Sequence, residues 1–118
     1  MKYTILILLL IPLFSCNRTD CSKLPSSFKS FNAAEKTVSN ASFNYTDKVN
    51  TDISSWIRGA KYYSSDNRTG FFILDTDKED YIYQNMPIDV WNSFKNASSF
   101  GGYYNRFIKY RYQLLVTQ

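Results

Sequence analysis

The sequence has no histidine and only two cysteines, Cys16 and Cys21, in 118 residues. Without an imidazole there is no His-containing catalytic triad, no His-ligated metal site and no ring nitrogen to move protons near neutral pH. Two sulfurs this close in sequence build no disulfide framework, because a bridge between them would close a tiny loop and stabilise little. Long apolar runs are missing as well. The run from Ile5 to Phe14, broken by Pro12, is half of the roughly 20 residues that a helix needs to cross a bilayer. What is abundant is aromatic: 18% of the chain, with Tyr 10 and Phe 9, inside an apolar fraction of 44%. That composition excludes disorder throughout and suits one globular domain.

Met1-Lys2 gives a positive start, the apolar run follows, and Leu13-Phe14-Ser15-Cys16 closes it before the polar stretch Asn17-Arg18-Thr19-Asp20. This order resembles a bacterial lipoprotein signal: Leu13 at the apolar position, Ser15 as the small residue before the cut, Cys16 as the lipidated residue. Phe14 departs from the small or β-branched residue usual there. The alternative is an ordinary signal peptide cut near Ser15. The resemblance implies a chain exported to the bacterial cell envelope, starting at Cys16 and held to a membrane by its lipid, facing the periplasm or the exterior. Asn17 does not decide between inner and outer membrane. Cys21 is then the other sulfur, an odd thiol whose role stays open.

The sequence divides into a signal peptide over 1–15, a tether over 16–30, an extension over 31–53 and a domain over 54–118. Ser, Lys and Pro without periodicity mark the tether. Phe31, Ala34 and Val38 share a helical face behind Ser30 as N-cap, and Ser42–Thr46 alternates as a strand would. Trp56–Tyr63, Phe71–Leu74 and Tyr81–Tyr83 read as strands separated by polar turns. Pro87 suits a first helical position and Asp89 a first turn. Val90, Trp91, Phe94 and Ala97 form one face, Lys95 sits near the helix end, and Gly101-Gly102 are expected to stop it. Tyr103 onward reads as a short helix giving way to extended chain. The predicted fold is α+β, a single domain with a small antiparallel β-meander packed against one or two short helices.

Several spaced features over 54–112 resemble the KTSC domain. They are Tyr81-Ile82-Tyr83 for its Tyr-x-Tyr, Met86-Pro87 for its Val-Pro, and Trp91, Phe94 and Ala97 for its helix. Ser99–Asn105 corresponds to its Ser-x-Gly-x-Tyr-Phe-Asn segment, with a one-position slip. The family occurs at the C-terminus of some lysyl-tRNA synthetases and as a stand-alone bacterial protein. The resemblance implies no catalytic role and carries a suggestion of RNA binding.

The acidic run Asp75–Asp80 begins like a calcium loop, but Asp80 occupies the sharp-turn glycine position and Met86 the bidentate glutamate position. A solvated hairpin turn fits better. Tyr81 and Tyr83 share a strand face, either as core rings with hydroxyls at the rim or as a docking surface. Trp56 and Trp91 read as core. Arg106, Lys109 and Arg111 alternate with aromatics near the C-terminus, and with Lys95 they form a stretch without acids. That mix suits single-stranded nucleic acid, anionic headgroups or a protein partner. Serines lack an activating base, so no catalytic residue, metal or cofactor is expected. Asn-x-Ser/Thr matches at Asn17, Asn40, Asn44, Asn67 and Asn96 carry little weight in a bacterial chain. The leading expectation is a non-enzymatic lipoprotein that is anchored through Cys16 and binds a protein or envelope component. Its candidate surface is Tyr81, Tyr83, Arg106, Lys109 and Arg111. An RNA-binding module and a phage-encoded envelope protein that blocks superinfection are the alternatives.

Overall fold

The computed structural model describes residues 18–51 and 54–117; the expected signal peptide and Cys16 lie outside them. The elements are β1 (Thr19–Asp20), α1 (Phe31–Ser39), β2 (Ala41–Ser42), β3 (Tyr45–Val49), β4 (Ile57–Ser64), β5 (Thr69–Thr76), β6 (Asp80–Pro87), α2 (Ile88–Lys95) and α3 (Phe100–Tyr103). A π-helical turn, Tyr104–Ile108, continues α3. β3 to β6 make one antiparallel sheet in chain order, and β1 and β2 form a short parallel pair. The α+β fold is as expected, with the meander one strand wider and one more helix. Among the described residues no helix is long and apolar enough to cross a membrane.

β5 explains the architecture. Phe72, Ile73 and Leu74 are consecutive and all but inaccessible, so both sheet faces are apolar and both need a cover. On one face Tyr62, Phe72, Leu74 and Tyr83 pack under Trp91, Phe94, Phe100 and Ile108. The Tyr62 and Trp91 rings stack at 5.4 Å with planes 10° apart, and Phe94 meets Phe72 edge-on at 5.2 Å. On the other face Ile73 and Ile82 lie under Phe28, Ala34, Val38 and Leu114.

A bulge adjusts β6 to this arrangement. The register shifts between Gly70 and Phe72, so β6 has an extra residue there, and Asn85 takes a left-handed φ of 59°. The shift brings Tyr83 and Met86 into the same core, which strict alternation would forbid. Opposite the bulge, a Cβ on Gly70 would lie 2.1 Å from the Tyr63 carbonyl oxygen, so only glycine fits.

Several expectations change. The described part of the segment read as a tether is docked: β1 pairs with β2, and Leu24 packs against the second core. Gln84 Nε2 donates to the Ser26 carbonyl at 3.1 Å, and the Phe28 N–H donates to the Leu115 carbonyl at 2.8 Å. Phe28 is apolar enough to join the second core, which composition alone conceals. Ser30 caps α1 as expected, accepting from Ala33 N–H at 3.1 Å. Phe31 does not join Ala34 and Val38 inside; it stands 56% exposed at the first turn. Pro87 is the N-cap of α2 rather than its first residue. Gly101-Gly102 do not stop that helix, which ends at Lys95 with Asn96 as its C-cap. They lie inside α3, because Ser99 caps a new start by accepting from Gly102 N–H at 3.0 Å.

Lys95, expected on a solvated helix end, donates to Asp47 of β3 at 2.6 Å. The same carboxylate accepts from Trp91 Nε1 at 2.9 Å, from the Tyr45 hydroxyl at 3.1 Å and from Lys48 N–H at 2.9 Å. Burial alone would raise the Asp47 pKa, but these four donors outweigh it and hold it near 2. Asp47 thus fixes α2 to the far strand of the sheet.

Trp91→Ala is expected to lower unfolding free energy by about 3–5 kcal/mol, since it empties a fully enclosed site. A urea midpoint equal to wild type would refute this packing. Asp47→Ala should cost about 1–3 kcal/mol in the same assay, because the indole N–H of Trp91 loses its acceptor inside the core.

Candidate binding cavity

β6 is an edge strand, and its outer side is only partly covered. The C-terminal chain meets it from Tyr83 onward: a bridge joins Tyr83 and Gln113, and Gln84 N–H donates to the Tyr112 carbonyl at 2.9 Å. Before that point the edge borders a cavity of about 480 Å³. Trp56, Tyr81, Tyr83, Tyr104 and Tyr110 form its walls, α1 contributes Phe31, and Asn105, Lys109 and Gln113 supply the polar groups. Volume and lining both fall in the range of ligand sites, where apolar walls carry a few polar groups.

Tyr83 and Tyr104 share a hydrogen bond between their hydroxyls. Burial, followed by that bond, pushes the Tyr83 phenol well above its ordinary value, so it stays neutral. Trp56 meets Tyr104 edge-on at 5.8 Å. At the rim the Tyr81 hydroxyl donates to Glu79 at 3.0 Å, and this bond raises its pKa.

The opposite rim is strained. Tyr110 and Tyr112 hold left-handed φ values of 68° and 52°, uncommon for bulky residues. Such conformations persist where surrounding structure enforces them and cluster at functional sites. Lys109 N–H donates to the Tyr104 carbonyl at 2.9 Å and Arg111 N–H to the Ile108 carbonyl at 2.9 Å, which locks the turn onto the π-helical segment. The result displays Tyr110 at 77% exposure, with Lys109 Nζ 5.2 Å from its ring centre. The arrangement can stack on apolar groups, offer neutral hydrogen bonds and pair one anion with Lys109.

Of the five surface residues named from sequence, Tyr81, Tyr83 and Lys109 line this cavity. Arg106 sits instead 5.4 Å from the Phe107 ring, and Arg111 is exposed away from the lining. Trp56, read as core, is half-buried and forms a wall. Tyr104 and Tyr110 carried no distinguishing signal, since their roles come from a helix register and a left-handed turn. Cys21 is a half-buried thiol with no disulfide partner among the described residues.

A second cluster also emerges only in three dimensions. One carboxylate oxygen each from Glu35, Asp75 and Asp80 lies within 4.8 Å of the others. The 75–80 turn is a hairpin as expected, with Thr76 Oγ1 accepting from Lys78 and Glu79 N–H groups. Glu35 arrives from α1. Burial, then the hydrogen bond and charge of Asp80, raise Glu35 to about 7 and Asp75 to about 6, against a lowering by Lys61. These three are the carboxylates among the described residues that could share a proton or a cation.

Raised folded-state values mean that the native protein retains protons which the unfolded chain releases. Stability should therefore fall as pH rises from the ordinary carboxylate value of 4.5 toward about 7. At the acid end it should fall as pH drops from 3.8 toward 2, where Asp47 is protonated. Glu35→Gln is expected to flatten the neutral-side decline in Tm while leaving the acid limb in place. An unchanged neutral limb would refute the coupling.

Residues 54–112 match the KTSC domain family, from just before β4 to the Tyr110–Tyr112 turn. Searches among curated proteins and solved structures return no match. The matched half of the chain supplies β4 to β6, α2, α3 and nearly every cavity wall, and on that basis this protein belongs to the KTSC domain family.

Proposed function

We propose that this KTSC-family protein is a membrane-anchored, non-enzymatic lipoprotein whose domain binds a protein or envelope component. The supporting observation is the cavity beside β6, where three distant chain segments converge on the Tyr83–Tyr104 hydroxyl pair. Its walls suit an aromatic or aliphatic side chain, and Lys109 suits an acidic group beside it. The unpaired start of β6 offers an extended partner segment a place to lie along the sheet edge.

The absence of histidine and the character of the lining favour binding over catalysis. The cavity's ionisable groups are tyrosines and one lysine, and the buried Tyr83 phenol is held neutral. Export and lipidation rest on the order of charge, apolar run and Cys16. The RNA reading is weaker, because only Lys109 of the three C-terminal cations reaches the cavity, whereas strand binding needs cations along a track.

A photo-crosslinking phenylalanine analogue at position 110, introduced in cells, is expected to yield discrete adducts that the same analogue at position 78 does not. Equal labelling at both positions would remove the cavity as the binding site. Palmitate incorporation should be lost in Cys16→Ala; incorporation that persists, or none in the wild type, would remove the anchor.

A further inference from the structure

A groove on the other side of the molecule is polar and rich in cations. It encloses about 590 Å³, and Arg18, Lys48 and Lys61 all line it. All three are exposed, and none forms an ion pair among the described residues. The acid that lines the groove, Asp47, is already committed: Lys95 Nζ lies 2.6 Å from its carboxylate, and Trp91 donates to it as well. Glu35 and Asp75 act on Lys61 only across space. Hydroxyls of Ser39, Ser42 and Thr46 line the same groove. Unpaired cations beside hydroxyl donors recognise phosphate oxygens.

The chain's path supplies the second argument. β1 pairs with β2 through Thr19–Ala41 and Asp20–Ser42, so the backbone next to Arg18 is fixed to the body of the domain. Two residues of extended chain reach at most about 7 Å, so a lipid on Cys16 would hold this groove at the headgroup level. We propose that the Arg18–Lys48–Lys61 groove docks on anionic phospholipid headgroups and turns this face of the domain toward the membrane. The orientation rests on the Cys16 anchor proposed above; the headgroup contact does not. A single lipid plus a cationic patch is a stronger attachment than the lipid alone, and the cations fix the tilt at which the β6 cavity is presented.

The test uses the chain from residue 16 onward carrying Cys16→Ala, which lacks both the apolar run of 5–14 and the lipid site and so separates headgroup binding from the anchor. Co-sedimentation is compared on phosphatidylcholine vesicles and on vesicles that also contain phosphatidylglycerol. Preference for the anionic vesicles is expected, falling about fivefold for each of Lys48→Ala and Lys61→Ala. Both residues are exposed, so circular dichroism should show an unchanged fold. Equal binding to both vesicles, or a preference untouched by the substitutions, would overturn the proposal. So would full competition by inorganic phosphate, since that marks a site for a free anion. Palmitate labelling of the wild type is read separately, so a missing anchor and a missing headgroup contact give different results.

Discussion

A strand buried on both faces sets the terms for the whole molecule. β5 carries Phe72, Ile73 and Leu74 in succession, and no placement of a small sheet can hide all three behind one layer. The family segment covers one face with α2, α3 and the π-helical turn. The other face is closed by α1 and Phe28 from before that segment and by Leu114 from just beyond it. Residues outside the family match are therefore part of this chain's hydrophobic core. β3 extends the same logic, because its Asp47 ties α2 across the sheet.

The cavity follows from how the two covers meet. Both reach the outer edge of β6, one with Phe31 and the other with Tyr104 and Tyr110, and neither seals it. Unpaired strand edges invite pairing with other chains and are normally covered or blunted. Here the C-terminal chain covers the edge from Tyr83 onward and leaves an aromatic opening before it. Holding two tyrosines left-handed to shape that opening is unfavourable in isolation, and the hydrogen bonds of the π-helical turn stabilise it.

Local pattern made much of this legible. Apolar, β-prone runs between polar turns found β4, β5 and β6, the helical stripe found Trp91 and Phe94, and Ser30 announced α1. What escaped depends on distant partners. Asp47 reads as one exposed acid in an alternating stretch until Trp91 and Lys95 arrive from 44 and 48 residues away. Glu35 has no reason to be special before α1 docks beside the 75–80 turn. The bulge at Asn85 and the left-handed Tyr110 are backbone states that side-chain identity does not announce, since asparagine merely tolerates one and tyrosine resists the other. Ser99 outweighed the glycines because a satisfied cap can start a helix through residues of low propensity.

Gln84 is buried at the centre of an unusual closure. Its amide nitrogen holds Ser26 and its amide oxygen accepts from Leu115 N–H at 2.6 Å, while Phe28 bridges directly to Val116. The stretches around Ser26–Phe28 and Leu115–Val116 are thus fastened to each other and to the same strand. Contacts of such long sequence separation form late, because the loop between them must close first. The second core therefore stays open until the chain from Leu114 to Val116 has folded back onto Phe28 and β6.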